Sequence, residues 1–358
     1  MKTENSSNRI VVSSRVRLAR NLRGTPFPGW AKKADRQRVL EMLQPLVEST
    51  GEMKELSVSK SMDGLGALDK QLLVERHLIS REHAAKNVGS GVVINQSESV
   101  SVMINEEDHL RMQAIRPGLQ LQKVHGIIDK VDSELETKVE YAFSPKHGYL
   151  TACPTNVGTG MRASAMLHLP GLVLHEQINQ IIQAVNKLGL AVRGLYGEGT
   201  EALGNVFQVS NQSTLGEKES NVIERLNKVI HQIIEHEENA RVSLLDKKPH
   251  MIYDQVGRAH GILGSAHSMN SKEAMNLLSM MRLGVDLEIL PGLDRALLDG
   301  LFITTQPAHL QKTATGKLSA EERDTLRAEI IRTALKGTPR PREFKTGQDG
   351  SKEGKSNE

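Results

Sequence analysis

Residues 13–20, with the sequence SSRVRLAR, alternate charged and apolar side chains with the two-residue period of a β-strand. Arg15 and Arg17 therefore lie on one face of the predicted strand, and Val16 and Leu18 lie on the other. Such a strand fits a sheet with one face against a hydrophobic core and two guanidinium groups on the opposite face. A solvated basic edge strand is the ordinary alternative, and the spacing by itself does not decide between the two.

Short strand-like runs recur through the first two thirds of the chain. They cover residues 10–16, 91–95, 100–105, 148–153, 190–194 and 205–210. Helical periodicity is clear at residues 174–188 and 222–234. Because the gap at 96–99 predicts a hairpin and strands do not alternate regularly with helices, we expect an α+β fold with a largely antiparallel β-sheet flanked by helices.

The pattern changes after Pro249, where helical segments such as 271–283 and 319–335 replace the strand-like runs. The last residues are dominated by glycine, proline and charge, which do not bury enough apolar surface to offset the entropy of ordering. We therefore predict four regions. They are an N-terminal segment 1–9, an α+β domain 10–245, a helical C-terminal domain 246–336 and a disordered tail 337–358.

Composition excludes several classes of protein. The single cysteine, Cys153, rules out internal disulfides and cysteine-cluster metal sites, and the histidines do not form a zinc-hydrolase motif. Aromatic residues make up only 3% of the chain, too few for a base-stacking nucleic-acid platform, although residues 1–40 hold ten basic and two acidic residues. No apolar stretch approaches the roughly 20 residues that span a bilayer, so we expect a soluble cytoplasmic protein.

Three further motifs combine arginine with carboxylates or glycines. NEEDHLR at 105–111 follows an apolar strand and predicts a carboxylate cluster at the end of that strand, with Arg111 one helical turn beyond Glu107 directed to the same place; acids that cap a helix start are the alternative. CPTNVGTGMRAS at 153–164 supplies glycines that let the backbone approach a ligand, together with Arg162. RGLYGEG at 193–199 supplies Arg193 and Glu198. Taken singly, each motif is also compatible with an ordinary helix cap or glycine turn.

In this order, over residues 10 to about 240, the four motifs resemble those of the phosphagen kinases. The resemblance implies a glutamine-synthetase-like catalytic domain that binds ATP, with Mg²⁺ held mainly through the nucleotide and no metal site of the protein alone. It also implies a clamp on the nucleotide phosphates formed by Arg15, Arg17, Arg111, Arg162 and Arg193. The further ATP-binding positions that it implies are Ser13, Ser14, Val16, His77, Ala163, Ser164, Ala165, Met166, Gly194, Leu195, Tyr196, Gly197 and Glu198.

The resemblance makes Glu107 and Glu198 the catalytic residues that hold the guanidinium of the substrate. A guanidinium has a pKa above about 12, so it must be bound and deprotonated before it attacks phosphorus. Two carboxylates can do both, and the sequence does not assign the general base to one of them. Cys153 lies beside this motif set, where neighbouring cations favour a thiolate, so we expect it to be redox-sensitive; an inert buried thiol is the alternative.

The chain departs from creatine and arginine kinases in two ways. Only twelve residues precede Ser13, where those enzymes have a helical substrate domain, and a helical extension follows residue 250. With these departures the chain resembles the bacterial protein-arginine kinases, which implies transfer of the γ-phosphoryl group of MgATP to arginine side chains in proteins. A kinase of free arginine or another small guanidine, and a non-catalytic phosphoarginine reader, are the alternatives.

The segment 323–328, RDTLRA, matches a signature of that subfamily. Ser319 and Glu322 form a predicted capping box, which places Arg323 and Arg327 one helical turn apart on one face. The resemblance implies an allosteric phosphoarginine site formed by Arg323, Asp324, Arg327 and Ala328; a charged surface helix is the alternative. It further implies protein substrates with exposed arginines, a zinc-binding activator protein, a heat-shock repressor, an AAA+ protease and self-association, with no membrane and no direct nucleic-acid partner.

Overall fold

The computed structural model describes residues 9–194 and 202–344. Ten strands lie in this part of the chain. They are β1 (Val11–Arg20), β2 (Leu56–Ser61), β3 (Gly91–Asn95), β4 (Val100–Ile104), β5 (Leu110–Pro117), β6 (Phe143–Ser144), β7 (Gly148–Tyr149), β8 (Met161–His168), β9 (Leu190–Gly194) and β10 (Val206–Asn211). Eight of them form one sheet in the order β2-β3-β4-β5-β1-β8-β10-β9, and every neighbouring pair is antiparallel.

Helices cover one face of this sheet and form a separate bundle after it. In the described residues they are α1 (Lys33–Glu48), α2 (Ala67–Glu75), α3 (Arg81–Ala84), α4 (Leu121–Glu136), α5 (Pro170–Leu174), α6 (Ile178–Lys187), α7 (Glu219–Lys247), α8 (Pro249–Ser265), α9 (Ser271–Asp286), α10 (Arg295–Thr304), α11 (Pro307–Thr313) and α12 (Ala320–Ala334). The predicted α+β class, with an antiparallel sheet flanked by helices and a helical C-terminal region, is confirmed.

The central strand β1 has the two faces that its alternation predicts. Val16 and Leu18 are fully buried in a core that α1, α4 and α7 share with the sheet. Small apolar residues of β8, such as Ala163 and Ala165, fill the same core. The opposite face carries Arg15 and Arg17, and the sheet therefore separates a mainly hydrophobic side from a cationic side.

The acidic motif at 105–111 follows a strand as predicted, but it is not a helix start, and the helical spacing expected between Glu107 and Arg111 is wrong. It forms a tight hairpin between β4 and β5, so Arg111 lies on a strand. Asn105 closes the turn: it has a positive φ of 57°, its N–H donates to the carbonyl of His109, and its side-chain amide donates to the carbonyls of Arg36 and Gly89. Tertiary hydrogen bonds thus outweigh the local preference of acids for helix starts.

Two other strand expectations are corrected. The strand expected at 148–153 is limited to β7, because the chain turns after it: the hydroxyl of Thr151 donates to the carbonyl of Cys153, and a short 3-10 helix begins at Pro154. The segment Met161–His168 is not among the predicted strands, yet it forms β8, one of the two strands that flank β1. The helix expected over 174–188 is divided into α5 and α6, where Glu176 adopts a positive φ of 59°.

A second hydrophobic core lies among the helices from α8 to α12. The long helix α7 contributes to both cores, because Leu226 packs in the first and Leu244 in the second. A buried charge network joins them: Glu237 accepts hydrogen bonds from the N–H groups of Gly171 and Leu172, and from Arg241. The predicted domain limits at 245/246 and 336/337 stay predictions.

The first residues of the predicted disordered tail contact the helical region. The N–H of Arg342 donates to the carbonyl of Ile289 at 2.8 Å, and the ring of Phe344 lies 5.3 Å from that of Tyr253. Residues 345–358 lie outside the described residues, and for them disorder stays a prediction. Among the helices that the structure describes, none combines the length and apolar character needed to cross a membrane.

We expect the buried ion pair at the end of β1 to hold the sheet against α4. Arg20 donates from Nε and Nη2 to Asp132 at 3.0 and 2.6 Å, and its guanidinium carbon lies 3.6 Å from the Tyr149 ring centre. Asp132→Asn removes the carboxylate that is hydrogen-bonded to this buried cation and leaves Glu219 at 3.8 Å, so the free energy of unfolding in urea should fall by about 3 kcal/mol. The control Asp254→Asn, which breaks an exposed pair with Arg258, should change it by less than about 1 kcal/mol.

Candidate active site

The strand register places the five arginines singled out in the sequence on one face of the sheet. Arg17 of β1 is directly opposite Arg162 of β8, and Ala19 is opposite Arg111 of β5. Arg15 lies two residues from Arg17 and therefore shares its face. Arg193 lies on this face too. Ser13 is paired with Met166, Met166 with Gln208, and Gln208 with Arg193, and paired residues of neighbouring strands share a face. Antiparallel pairing thus gathers side chains that lie nearly 180 residues apart in sequence.

The guanidinium groups of this row are close enough to repel one another. Burial and the charges of Arg15, Arg111 and Arg162 hold the pKa of Arg17 well below its ordinary value. Burial, Arg193 and Arg111 lower the pKa of Arg162 in the same way. The Nε atoms of Arg17 and Arg162 are buried without a hydrogen-bond partner. A row of mutually repelling cations in which Arg17 and Arg162 keep unused donors is suited to a polyanion such as a nucleotide triphosphate.

The acidic hairpin places carboxylates at one end of the row. Glu106 is buried and accepts from Arg111 Nη1 at 2.5 Å and from the hydroxyl of Ser80. Burial lowers the pKa of Arg111, but the charge and hydrogen bond of Glu106 outweigh it and raise that pKa above its ordinary value. Glu106 was not among the predicted site residues, although it stands next to Glu107 in NEEDHLR. Glu106 orients Arg111.

Glu107 is the carboxylate of this hairpin that remains accessible. Its side chain is 46% exposed and lies 3.8 Å from Arg111 Nη1. It lines a small pocket of about 100 Å³ together with Arg17, Arg162 and Cys153. Burial raises the pKa of Glu107, and the charges of Glu106 and Asp108 raise it further against the opposing effect of Arg111. Glu107 is therefore a better proton acceptor than an ordinary glutamate.

His77 lies near the other end of the row. It follows α2 with a positive φ of 60°, and its carbonyl accepts from the side chain of Gln113 at 2.7 Å. Burial, together with the charge of Arg15, lowers the pKa of His77 to about 4, so its imidazole is neutral at physiological pH. A neutral ring beside a cationic row adds no further repulsion.

The remaining residues expected to bind ATP divide by strand period. Ser13, Ser164 and Met166 share the arginine face, whereas Ser14, Val16, Ala163 and Ala165 project into the opposite side. The hydroxyl of Ser14, for example, donates to the carbonyl of Gly118. Contacts of these four residues with a ligand on the arginine face are therefore limited to their backbone. Gly194 ends β9, and the expected site residues Leu195, Tyr196, Gly197 and Glu198 lie outside the described residues.

One arginine of the RDTLRA segment, Arg327, forms hydrogen bonds inside the helical C-terminal region. Arg327 is buried, and it donates to the carbonyls of Thr305 and Met269 and to Asp324. Arg323 and Asp324 are half-buried, and Ala328 packs in the second core. The capping box of Ser319 and Glu322 is present. The role of this segment as a phosphoarginine site stays a prediction.

Among the described residues, the group of side chains close enough to share a metal ion is His125, Asp129 and Glu219. These belong to α4 and α7, which cover the hydrophobic face of the sheet. Near the arginine row, Glu106 is engaged by Arg111, and Asp108 accepts from Asn21 and the N–H of Ala152. The described residues of the row therefore fit a Mg²⁺ ion that is held mainly by phosphate oxygens.

Comparison with known proteins decides the family. Residues 37–240 match the family described as ATP:guanido phosphotransferase, C-terminal catalytic domain. This chain belongs to that family. It is therefore a kinase, and the enzyme class expected from the four motifs is confirmed. Residues 249–346 match the family described as protein-arginine kinase McsB C-terminal domain.

The relatives of this kinase are similar over most of its length. It is 47% identical to the protein-arginine kinase of Halothermothrix orenii over 91% of this chain and 93% of that one. It is 46% identical to the protein-arginine kinase of Pelotomaculum thermopropionicum over 95% and 96%. The catalytic fold is that of a lombricine kinase, with a TM-score of 0.57 at 24% identity over 66% of this chain and 68% of that one. A taurocyamine kinase from Schistosoma mansoni matches with a TM-score of 0.55 at 26% identity, over 65% of this chain and 33% of that one.

We expect Arg162→Lys to abolish most of the activity of the kinase while keeping the charge. A lysine cannot reproduce the planar fork that binds two phosphate oxygens, and one arginine is worth roughly 10³ to 10⁵ in rate in other phosphoryl-transfer enzymes. The initial rate of ATP-dependent phosphoryl transfer should fall by at least about a hundredfold. Arg38→Lys, at an exposed arginine of α1, is the matched control. Wild-type turnover in Arg162→Lys would contradict a clamp role.

Proposed function

We propose that this kinase transfers the γ-phosphoryl group of ATP, with Mg²⁺, to the guanidinium group of arginine side chains in proteins. The observation that carries the proposal is the convergence of five arginines on one sheet face beside an accessible glutamate. The name protein-arginine kinase, which the relatives carry over nearly their whole length, supports the choice of acceptor. The match of residues 249–346 to the C-terminal domain of such kinases supports it as well.

The arginine row supplies most of the catalysis of this reaction. Phosphoryl transfer passes through a loose, metaphosphate-like transition state, so the protein mainly positions the phosphates and neutralises their oxygens. Arg17 and Arg162 are paired on the neighbouring strands β1 and β8 of a packed sheet. The backbone positions of both guanidinium side chains are therefore set before a ligand binds. Because the guanidinium groups of the row repel one another in the absence of a ligand, the negative charge of a bound triphosphate reduces this repulsion.

Glu107 acts on the acceptor guanidinium. It can hold two guanidinium N–H groups in a bidentate arrangement and place the attacking nitrogen in the small pocket beside Arg17 and Arg162. As the N–P bond forms and the bond from phosphorus to the leaving oxygen breaks, the attacking nitrogen loses a proton, which Glu107 can accept. We propose Glu198 as the second carboxylate that grips the guanidinium; it lies outside the described residues.

The shape of the acceptor site supports an arginine side chain as substrate. The pocket of about 100 Å³ is large enough for a guanidinium group, and Glu107 reaches solvent with nearly half of its side chain. An arginine carried on a protein surface can therefore present its tip to the pocket while its backbone stays outside. A kinase of free arginine would use the same pocket, so a direct comparison of acceptors separates the two.

The finer biological roles are also proposals. The family resemblance supports a cytoplasmic enzyme of protein quality control that works with an AAA+ protease, modifies a heat-shock repressor, responds to a zinc-binding activator and forms a homo-oligomer. We further propose that Arg323 and Asp324 contribute to an allosteric phosphoarginine site. Cys153, which lies in the acceptor pocket, is the proposed redox-sensitive position.

The proposal is tested by offering both acceptors. The full chain is incubated with MgATP and either free arginine or a heat-denatured protein, and the products are handled at neutral pH before mass spectrometry. We expect acid-labile phosphate on arginine side chains of the protein and little on free arginine. Phosphate confined to free arginine would overturn the protein assignment, and phosphate confined to serine, threonine or tyrosine would overturn the guanidine assignment.

We expect Glu107→Gln to lower kcat by about 10² to 10⁴, because the amide binds a guanidinium poorly and cannot accept its proton. A base must be ionised to act, and the pKa of Glu107 is raised, so the rate of the wild type should fall with decreasing pH at a midpoint above the ordinary 4.5 of glutamate. The pH dependence of kcat/KM checks this. Glu41→Gln on the exposed side of α1 is the control, and a kcat for Glu107→Gln within tenfold of the wild type would contradict the assignment.

A further inference from the structure

A cavity of about 500 Å³ lies where the arginine row ends, at the first residues of β1. Its wall on the sheet side includes Ser13 and Met166, with His77 beside them. Its opposite wall comes from the helical C-terminal region and includes Met275, Arg282, Asp299, Phe302 and Ile303. The cavity is thus formed jointly by the two parts of the chain.

The position of this cavity relative to the arginines indicates which part of a nucleotide it would take. Ser13 precedes Arg15 and Arg17 on the same face of β1, so the cavity continues the row directly. The other end of the row opens into the acceptor pocket, which is small and bordered by charged groups. Among the residues that the structure describes, a nucleotide with its phosphates on the arginines therefore has room for its base and sugar at the Ser13 end.

The helical wall contains a buried guanidinium whose donors are not all used. Arg282 is 1% exposed, and its Nε donates to Asp299 Oδ1 at 2.8 Å. Its Nη1 and Nη2 atoms are buried and have no hydrogen-bond partner. Native proteins rarely leave such donors unpaired, because the loss of hydration is then not compensated. The Asp299 side chain is 39% exposed and retains capacity to accept a further hydrogen bond.

The surroundings of Arg282 favour a neutral ligand with acceptor atoms over a second anion. Arg241 and Arg295 lie near it, and the three cations are matched by three carboxylates, Glu237, Asp286 and Asp299. His168 is buried beside the group, and burial together with the charges of Arg282 and Arg241 holds its pKa well below the ordinary value. Because the charges of this group already balance, the unused Nη donors of Arg282 favour a neutral ligand. Such a ligand would be flat and apolar, with hydrogen-bond acceptors along one edge. The apolar walls, including Met166 and Phe302, suit such a molecule.

We propose that Arg282 and Asp299 recognise the edge of the adenine base. Adenine presents a 6-amino donor next to a ring-nitrogen acceptor. A guanidinium N–H of Arg282 matches the ring nitrogen, and the carboxylate of Asp299 matches the amino group. A purine with a keto oxygen at position 6 would place an acceptor against Asp299 and lose that contact. The pair thus makes the helical C-terminal region part of the nucleotide site, and this inference rests on the proposed function.

The experiment compares ATP with inosine triphosphate, which differs by the 6-keto group, on the full chain. We expect the wild type to favour ATP in kcat/KM by about tenfold or more. Asp299→Asn keeps an acceptor for Arg282 and adds a donor for the keto oxygen, so this ratio should fall to about threefold or less. Arg282→Met should raise KM for ATP by about tenfold or more with kcat within about threefold, and Arg282→Lys should restore part of the loss.

Asp254→Asn and Arg258→Met, at the exposed ion pair of α8, are matched controls and should leave KM and the nucleotide ratio unchanged. Because Arg282 is buried, the unfolding midpoint of each variant is measured; if Arg282→Met does not fold, Asp299→Asn and Arg282→Lys decide. An unchanged ratio in Asp299→Asn with an unchanged KM for ATP in Arg282→Lys would overturn the proposal.

The two proposals fail in different ways. Binding of ATP and inosine triphosphate is also measured directly by calorimetry. If proteins acquire no phosphoarginine but ATP binds more tightly than inosine triphosphate and Asp299→Asn removes the difference, the proposed function fails and base recognition stands. If phosphoarginine forms and the variants leave the preference unchanged, base recognition alone is overturned.

Discussion

Mutual repulsion among guanidinium groups on one face of the sheet is the constraint around which this structure is organised. Arg17 is buried among other arginines that lower its pKa, and among the described residues Glu106 counters their effect. Such a face is unstable by itself, and the fold supports it through what lies behind it. The alternate residues of the same strands, among them Val16, Leu18 and Ala163, are fully buried against helices. The hydrophobic core therefore holds the cations in place until an anion neutralises them.

The three carboxylates of the acidic hairpin, Glu106, Glu107 and Asp108, are adjacent in sequence but have different roles in the structure. Glu106 is buried and fixes Arg111, whereas Asp108 is buried and fixes Asn21 and the N–H of Ala152. Glu107 between them remains accessible with a raised pKa. The first two are bound by the protein, which leaves the third available for chemistry. Neighbouring like charges raise the pKa of Glu107 and so give the structural acids an indirect effect on the reactive one.

The helical C-terminal region is tied to the catalytic sheet by buried polar contacts at two places. Glu237 and Arg241 of α7 connect the start of α5 to Asp286 of α9. Glu75, two residues before His77, accepts from the N–H of Ala308 and from the His309 ring. Buried charges without partners are costly, so these contacts favour one arrangement of the two regions. They also place the wall that contains Arg282 against the Ser13 end of the arginine row.

Local patterns in the sequence determined the strand character of β1 and the placement of Arg15 and Arg17 on one face. They also determined the hairpin at 96–99 and the helical segments after Pro249. These features follow from two-residue and 3.6-residue periods, which are properties of the chain itself. The family resemblance added the distant arginines and Glu107, but no period joins Arg111, Arg162 and Arg193 to β1. Only the antiparallel register brings them together, and it depends on pairings between distant segments. Likewise, the turn at Asn105, the strand at Met161–His168 and the separate uses of Glu106, Glu107 and Asp108 were decided by tertiary contacts, since burial and hydrogen bonding across the sheet outweigh local preference.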